Sequence, residues 1–414
     1  MHRTALCEQQ FAVLPCVVAG TAERIEETMG VPQTAQEAVP QTAQEVLERT
    51  KALRPMLAAR ADEIDALGRL PQDVVDAMGD AGLYRLRVPK KYGGLAPVSI
   101  AEELEILTEL ARGNASAAWT VSVGRLSENM DVLFGSEVAA LVYDSDRKGP
   151  ALATSTFNAS NSEGSAHETV DGYSVTGRWA FASNIRLADW LVAGVTRYDA
   201  DGSETKGVAL LPVDKLLIAD DWQVEGMKGS ASNTAYTEEP VLVPHDRVVV
   251  YSEEFLRESR QALRAIVTHH ASIALGSAEE VLEIFVEKAR TKAPWNQPYP
   301  SVAQMPTAQV AVARAVARIH SARATLTGGA EQLNGLDFVE DIDMFSVNYR
   351  AVYSAHRLRE SIAELRGLLG SSTAKYTDRV GRIHRDVEVM CLHGALREEW
   401  VAERLGRALL APQN

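Results

Sequence analysis

Between Gly172 and Trp190 the chain reads Gly-Tyr-Ser-Val-Thr-Gly-Arg-Trp-Ala-Phe-Ala-Ser-Asn-Ile-Arg-Leu-Ala-Asp-Trp. A Gly turn opens into an alternating strand. Trp179 and Phe181 fall two residues apart, which in a strand puts both on one face. The segment ends in Ser183 and Asn184, small polar residues through which a strand can hand hydrogen bonds to a flat ligand. On spacing alone the same pattern describes an ordinary half-buried hairpin, so the chemistry depends on what the rest of the chain brings to it.

The elements around this segment change character twice. Val46, Leu47, Leu53, Met56, Leu57, Ile64 and Leu67 recur at near-helical spacing, and three further helices are predicted at Gln72–Ala81, Ser99–Arg112 and Ser116–Val123. Residues 146–250 alternate instead. Strands are predicted at Thr169–Thr176, Trp190–Arg197, Gly207–Pro212 and Val241–Val248, with Asp199–Gly202 as a hairpin loop. From Ser252 onward the chain is helical again. Leu263–Lys292, Gln309–Leu333, Asp341–Leu369 and Asp386–Leu409 supply the four long helices of a bundle. The first residues stand apart: Val31–Glu37 repeats as Val39–Glu45, with prolines that make one continuous helix costly. The expected organisation is a mobile extension over 1–45, a helical domain over 46–145, a β domain over 146–250 and a helical bundle over 251–414.

Composition excludes several classes of function. The 414 residues are 46% hydrophobic, ample for a large core, and the net charge of −14 comes without a basic run, so no nucleic-acid partner is expected. No apolar run approaches the ~20 residues that span a bilayer, so no membrane is expected. The short apolar segment Phe11–Gly20 has little positive charge before it and is not read as a signal peptide. Three cysteines without Cys-x-x-Cys spacing argue against a zinc site or a disulfide framework, and so for a reducing cytoplasm and no metal. No Gly-x-Gly-x-x-Gly or P-loop sequence marks a nicotinamide or ATP site.

Several separated motifs together carry a resemblance. Val88-Pro-Lys-Lys-Tyr-Gly-Gly94, the Trp179-x-Phe181-x-Ser183 strand, Gly226-Met-Lys-Gly-Ser-Ala-Ser-Asn233, Val243-Pro244 and Arg385-Asp386 occur in this order. In that order they resemble the acyl-CoA dehydrogenase superfamily over roughly residues 46–410, and the strand resembles its two-component flavin monooxygenases. The resemblance implies an α+β fold: an N-terminal helical domain, a central antiparallel β domain and a C-terminal four-helix bundle.

It also implies which residues do the chemistry. Where many dehydrogenases of the family carry a Tyr-Glu-Gly triplet, with Glu as base, this chain has His393-Gly394-Ala395. Glycine cannot act as a base, although a relocated carboxylate such as Glu364 or Glu331 stays open. Similar monooxygenases commonly have His at position 393, where imidazole can take a substrate proton or hydrogen-bond the peroxide near neutral pH. Ser183 is implied to lie near flavin N5 and to protect a C4a-hydroperoxyflavin. Asn184 replaces a more usual Gly there and is expected to alter the turn. Thr154–Asn158 lacks the acidic and proline residues of the dehydrogenase loop, which weakens an acyl-CoA substrate. Phe181 and Trp222 are implied to lie at the flavin ring, Trp222 fitting core packing equally well. Arg290 and the small residues Gly370 and Ser371 are implied to hold the flavin phosphate across a subunit interface.

Three functions follow. The leading one is a flavin-dependent monooxygenase that takes reduced FMN or FAD from a separate flavin reductase, uses O2, and works as a homotetramer, or at least a dimer. It would hydroxylate a phenolic, polyketide-like or indole small molecule, or N-oxidise an amine. The second is an acyl-CoA dehydrogenase or oxidase with a relocated base. The third is a non-catalytic scaffold that retains the fold.

Overall fold

The computed structural model describes residues 40–124, 130–143, 148–154, 164–253, 256–257, 264–334 and 341–411. Cys7, Cys16, the first copy of the repeat and most of the Thr154–Asn158 segment lie outside the described residues.

Five N-terminal helices are set by local signals. Helix α1 (Ala43–Ala59) starts where the Thr42 hydroxyl accepts the Glu45 amide. It is followed by α2 (Ala61–Leu67) and by α3 (Gln72–Asp80), beyond which Gly82 takes φ 82°. Helix α4 (Ile100–Gly113) opens on a capping box between Ser99 and Glu102. Helix α5 (Ala115–Ser122) is capped by Asn114 and buried on every side, as expected of a short apolar helix in the centre of a protein. Two small helices, α6 (Met130–Phe134) and α7 (Ser136–Val142), complete this part.

Among the described residues ten strands follow: β1 (Leu152–Thr154), β2 (Ser165–Thr169), β3 (Gly172–Thr176), β4 (Arg178–Trp179), β5 (Trp190–Tyr198), β6 (Glu204–Pro212), β7 (Leu217–Ile218), β8 (Ala235–Tyr236), β9 (Val241–Val243) and β10 (Val248–Val250). The larger sheet runs β10-β6-β5-β2-β3-β9, with β1 also on β5, and β4-β8-β7 form a second sheet. The larger sheet is mixed, not antiparallel as expected, because β1 and β2 both run parallel to β5. Leu191 and Ala193 face one core while Val192 faces another, made with α6 and α7. Strand β5 is therefore nearly continuously apolar, since both faces are covered.

The bundle has α8 (Ile266–Thr291), α9 (Pro306–Asn334) and α10 (Asp341–Leu369). A Cβ on Gly276 would lie 2.0 Å from the Thr108 carbonyl oxygen, so α8 and α4 meet backbone to backbone. The fourth place is filled by two helices, α11 (Arg379–Met390) and α12 (Glu398–Leu410), not by one helix from Asp386 to Leu409. His393 is extended at the break. Its Nδ1 accepts the Ala395 amide at 3.2 Å and starts a single turn at Gly394–Leu396, a local bond that competes with continuing the helix. Among the described residues no helix is long and apolar enough to cross a membrane.

Candidate active site

The strand after β4 does not keep its alternation. Phe181 takes φ 55°, so Trp179 and Phe181 part instead of sharing a face. Trp179 is buried, its Nε1 donating to the Gly194 carbonyl at 2.9 Å. Phe181 is 62% exposed and meets the half-buried Trp222 edge to face, with ring centroids 6.2 Å apart. The indole of Trp222 is held by a 3.1 Å bond from its Nε1 to the Met227 carbonyl. The two rings form an open aromatic lip.

Ser183 lies behind that lip and is buried. Its backbone bridges Thr154 through paired bonds of 3.1 and 3.2 Å. Asn184 adopts φ 70°, a conformation Asn tolerates better than most residues with a Cβ. Its Nδ2 donates to the Thr120 carbonyl at 2.9 Å, tying the strand end to α5.

Trp119 joins Ser183 to His393. Its Nε1 donates to Ser183 Oγ at 3.2 Å. Its ring stacks on His270 of α8 at 4.1 Å and 23°, and meets His393 edge-on at 5.2 Å. His270 and His393 also meet edge-on at 5.2 Å. His393 is exposed at the rim, yet its ring lies against these two, and burial lowers its pKa below the ordinary imidazole value. With Nδ1 accepting the Ala395 amide, the neutral ring carries its proton on Nε2. On the other side, Ser183 Oγ is 2.9 Å from Ser232 Oγ, which is 2.8 Å from Ser230 Oγ.

Trp119 and His270 carried no signal in the sequence, and Ser230 and Ser232, although inside the Gly226–Asn233 motif, were given no role there. The two rings sit on helices buried on most sides, where no periodicity marks a facing. Glu103 was likewise unmarked. It is buried with Arg87 as its ion-pair partner and His269 Nδ1 3.6 Å away, beside a small cavity also lined by Tyr84 and Thr120.

Two of the sequence motifs prove to be halves of one contact. The Met227 amide donates to the buried Asp386 carboxyl at 2.6 Å. A Cβ on Gly226 would lie 2.2 Å from the Arg385 carbonyl oxygen. His384, on α11, turns toward α10, its Nδ1 2.9 Å from Arg366 Nη1.

Arg290 is exposed near the end of α8, and Gly370 and Ser371 are exposed just after α10. The structure brings these two ends together: Lys292 Nζ donates to Ser372 Oγ at 3.2 Å, and Lys288 Nζ lies 3.3 Å from Asp378. Asp378 caps the start of α11 while His393 follows its end. In one chain the cationic group and the Ser183–His393 group are thus separated by a helix of 12 residues, about 18 Å long. Of the carboxylates left open as bases, Glu364 lies 2.5 Å from Arg314 and 3.8 Å from Arg318, and Glu331 is exposed. Among the described residues no group of His, Cys, Asp and Glu could hold a metal ion.

Residues 33–139 match the family of acyl-CoA dehydrogenase N-terminal domains, and residues 268–398 match that of the C-terminal domains. Together the matches cover more than half of the sequence, and the chain belongs to the acyl-CoA dehydrogenase superfamily. Its relatives put it in the branch of two-component flavin-dependent monooxygenases. It is 23% identical over 387 residues to the oxygenase component of p-hydroxyphenylacetate 3-hydroxylase from Acinetobacter baumannii, covering 88% of each chain. It is 26% identical over 350 residues to indole-3-acetate monooxygenase from Pseudomonas putida, covering 81% of this chain and 86% of that one. Its fold is similar to that of XiaF from a Streptomyces species, solved with FADH2 and glycerol, at a TM-score of 0.80 and 23% identity, over 90% of this chain and 98% of the other.

Proposed function

We propose that this chain is the oxygenase half of a two-component monooxygenase. It takes reduced FMN or FAD from a separate flavin reductase and places one atom of O2 on a small aromatic or polyketide-like molecule, the other leaving as water. Hydroxylation at carbon is the favoured chemistry, since the similar enzymes are named for p-hydroxyphenylacetate and indole-3-acetate. N-oxidation of an amine is the alternative outcome of the same site. The observation that carries this reading is Trp119 in contact with both Ser183 and His393, with Gly394 where a dehydrogenase has its base.

The site fits a flavin. Phe181 and Trp222 offer an apolar lip to a flat ring, Ser183 and His393 offer polar groups behind it, and Lys288, Arg290 and Lys292 offer positive charge for phosphate. When bound, reduced flavin supplies the two electrons that activate O2. Ser183 hydrogen-bonds at the ring edge. His393, neutral and protonated on Nε2, donates a hydrogen bond to substrate or to the oxygen being transferred. Of the two roles the resemblance allows, hydrogen-bond donor fits the tautomer better than proton acceptor. The Trp119–His270 stack keeps water from the back of the site, which strengthens both bonds. The cationic group sits a helix length away, so we propose a homotetramer in which it serves a neighbouring copy's flavin.

The test is anaerobic mixing of photoreduced FMN or FAD with the protein, followed by 18O2 and a panel of phenols, indoles and amines. Incorporation of one 18O into product is expected. Bleaching of bound oxidised flavin by an acyl-CoA, with no oxygen incorporation, would instead establish a dehydrogenase. Failure to bind flavin in either state would leave a scaffold.

A further inference from the structure

The hydrogen bonds around Ser183 constrain it in a way that its position alone does not. A serine hydroxyl has one proton and two acceptor lone pairs, and an indole N–H can only donate. Trp119 Nε1, at 3.2 Å, therefore occupies one lone pair of Ser183 Oγ permanently. One proton and one lone pair are left, to be divided between Ser232 Oγ at 2.9 Å and whatever occupies the open side. Ser232 is in turn 2.8 Å from Ser230 Oγ, and both are buried.

We propose that Trp119 and Ser232 are positioning residues that make Ser183 a two-way switch, matched to the two redox states of the flavin. The proposal rests on the flavin reading above. A reduced flavin carries an N–H at its central ring, and an oxidised flavin has a bare nitrogen acceptor there. Facing the N–H, Ser183 accepts, and its own proton turns to Ser232. Facing the bare nitrogen, Ser183 donates, and Ser232 turns its proton to Ser183 while Ser230 can supply Ser232. Every group is satisfied in both states, and only hydroxyl rotations separate them. Trp119 makes this two-state: because it cannot accept, the Ser183 proton never turns toward it.

The consequence is asymmetric. With Ser232→Ala, Ser183 facing a reduced flavin has a buried proton and no partner for it, whereas Ser183 facing an oxidised flavin loses only an optional acceptor contact. A stranded buried donor is the costlier loss. Ser232→Ala should weaken reduced-flavin binding by about tenfold more than oxidised-flavin binding. Trp119→Phe removes a bond common to both states and should weaken the two by similar factors.

The experiment measures dissociation constants for both flavin states, anaerobically for the reduced one, in wild type, Ser232→Ala, Ser232→Thr and Trp119→Phe. Thermal melts confirm folding. Ser232→Thr keeps the hydroxyl and should restore the wild-type ratio. Equal weakening of both states by Ser232→Ala, or none, overturns the switch. A flavin-free readout accompanies it. Of the six tryptophan indole N–H resonances, the one missing in Trp119→Phe should move in Ser183→Ala. No movement overturns the Trp119–Ser183 bond. Binding of neither flavin state by wild type overturns the functional reading, and the switch with it.

Discussion

The amide of Met227 donates to the carboxyl of Asp386 at 2.6 Å, and this bond clasps the loop before β8 to the last part of the bundle. Asp386 is buried, and burial pushes its pKa up to about 7. In the unfolded chain the same group titrates near 4. Between those values the folded protein holds more protons than the unfolded one, so this group's contribution to stability falls as pH rises from about 4 to about 7. Asp386→Asn keeps an acceptor for the Met227 amide and cannot ionise. Urea midpoints measured across pH 4–8 should decline less steeply in Asp386→Asn than in wild type. Parallel curves would remove Asp386 as the source.

Much of this architecture was legible in the sequence, and the rest hid for identifiable reasons. The helix–strand–helix order and the Ser99 and Gly82 boundaries follow from periodicity, a capping residue and a glycine turn. The pairing of Gly226 with Asp386 was foreshadowed as two motifs but not as one contact, because nothing in a sequence says which distant segments touch. Phe181 was misplaced because a non-glycine residue in the left-handed region leaves no sequence mark. The break at His393 had one sign, Gly394, which a strong helical pattern on both sides obscured. Trp119 and His270 lie on helices so uniformly buried that neither could be assigned a facing.

His393→Ala should fold and bind flavin but make product about 10²–10³-fold more slowly, the usual cost of losing a preorganised donor. His393→Gln distinguishes the roles. Its amide can still donate, so a donor role predicts partial recovery, and a proton-acceptor role predicts none. Single-turnover product formation with reduced flavin is the measurement, and a wild-type rate in His393→Ala would remove the residue from the chemistry.

Ser183→Ala should leave the fold intact and divert flavin oxidation toward free hydrogen peroxide. The hydroxyl lies at the end of the strand behind the Phe181–Trp222 lip, and Trp119 and Ser232 both bond to it. Under the proposed function Ser183 bonds the flavin ring edge, and loss of that bond would let peroxide escape before oxygen reaches the substrate. The ratio of peroxide to hydroxylated product should rise, and an unchanged ratio would count against the role.

Arg290→Ala should weaken flavin binding by about 1.5–3 kcal/mol through loss of a charge-assisted bond to phosphate. Arg290 is exposed near the end of α8, where Lys292 meets Ser372, while Ser183 and His393 lie a helix length away at the far end of α11. A second copy of the chain, packed symmetrically, can bring its cationic group to the first copy's aromatic lip. The assembly should therefore sediment as a homotetramer, or at least as a dimer. Mixed oligomers of Arg290→Ala and Ser183→Ala chains should regain part of the activity that each lacks alone, since some sites then combine two intact halves. A monomer with full flavin affinity would overturn the shared site, and Arg290→Ala with unaltered affinity would remove Arg290 from it.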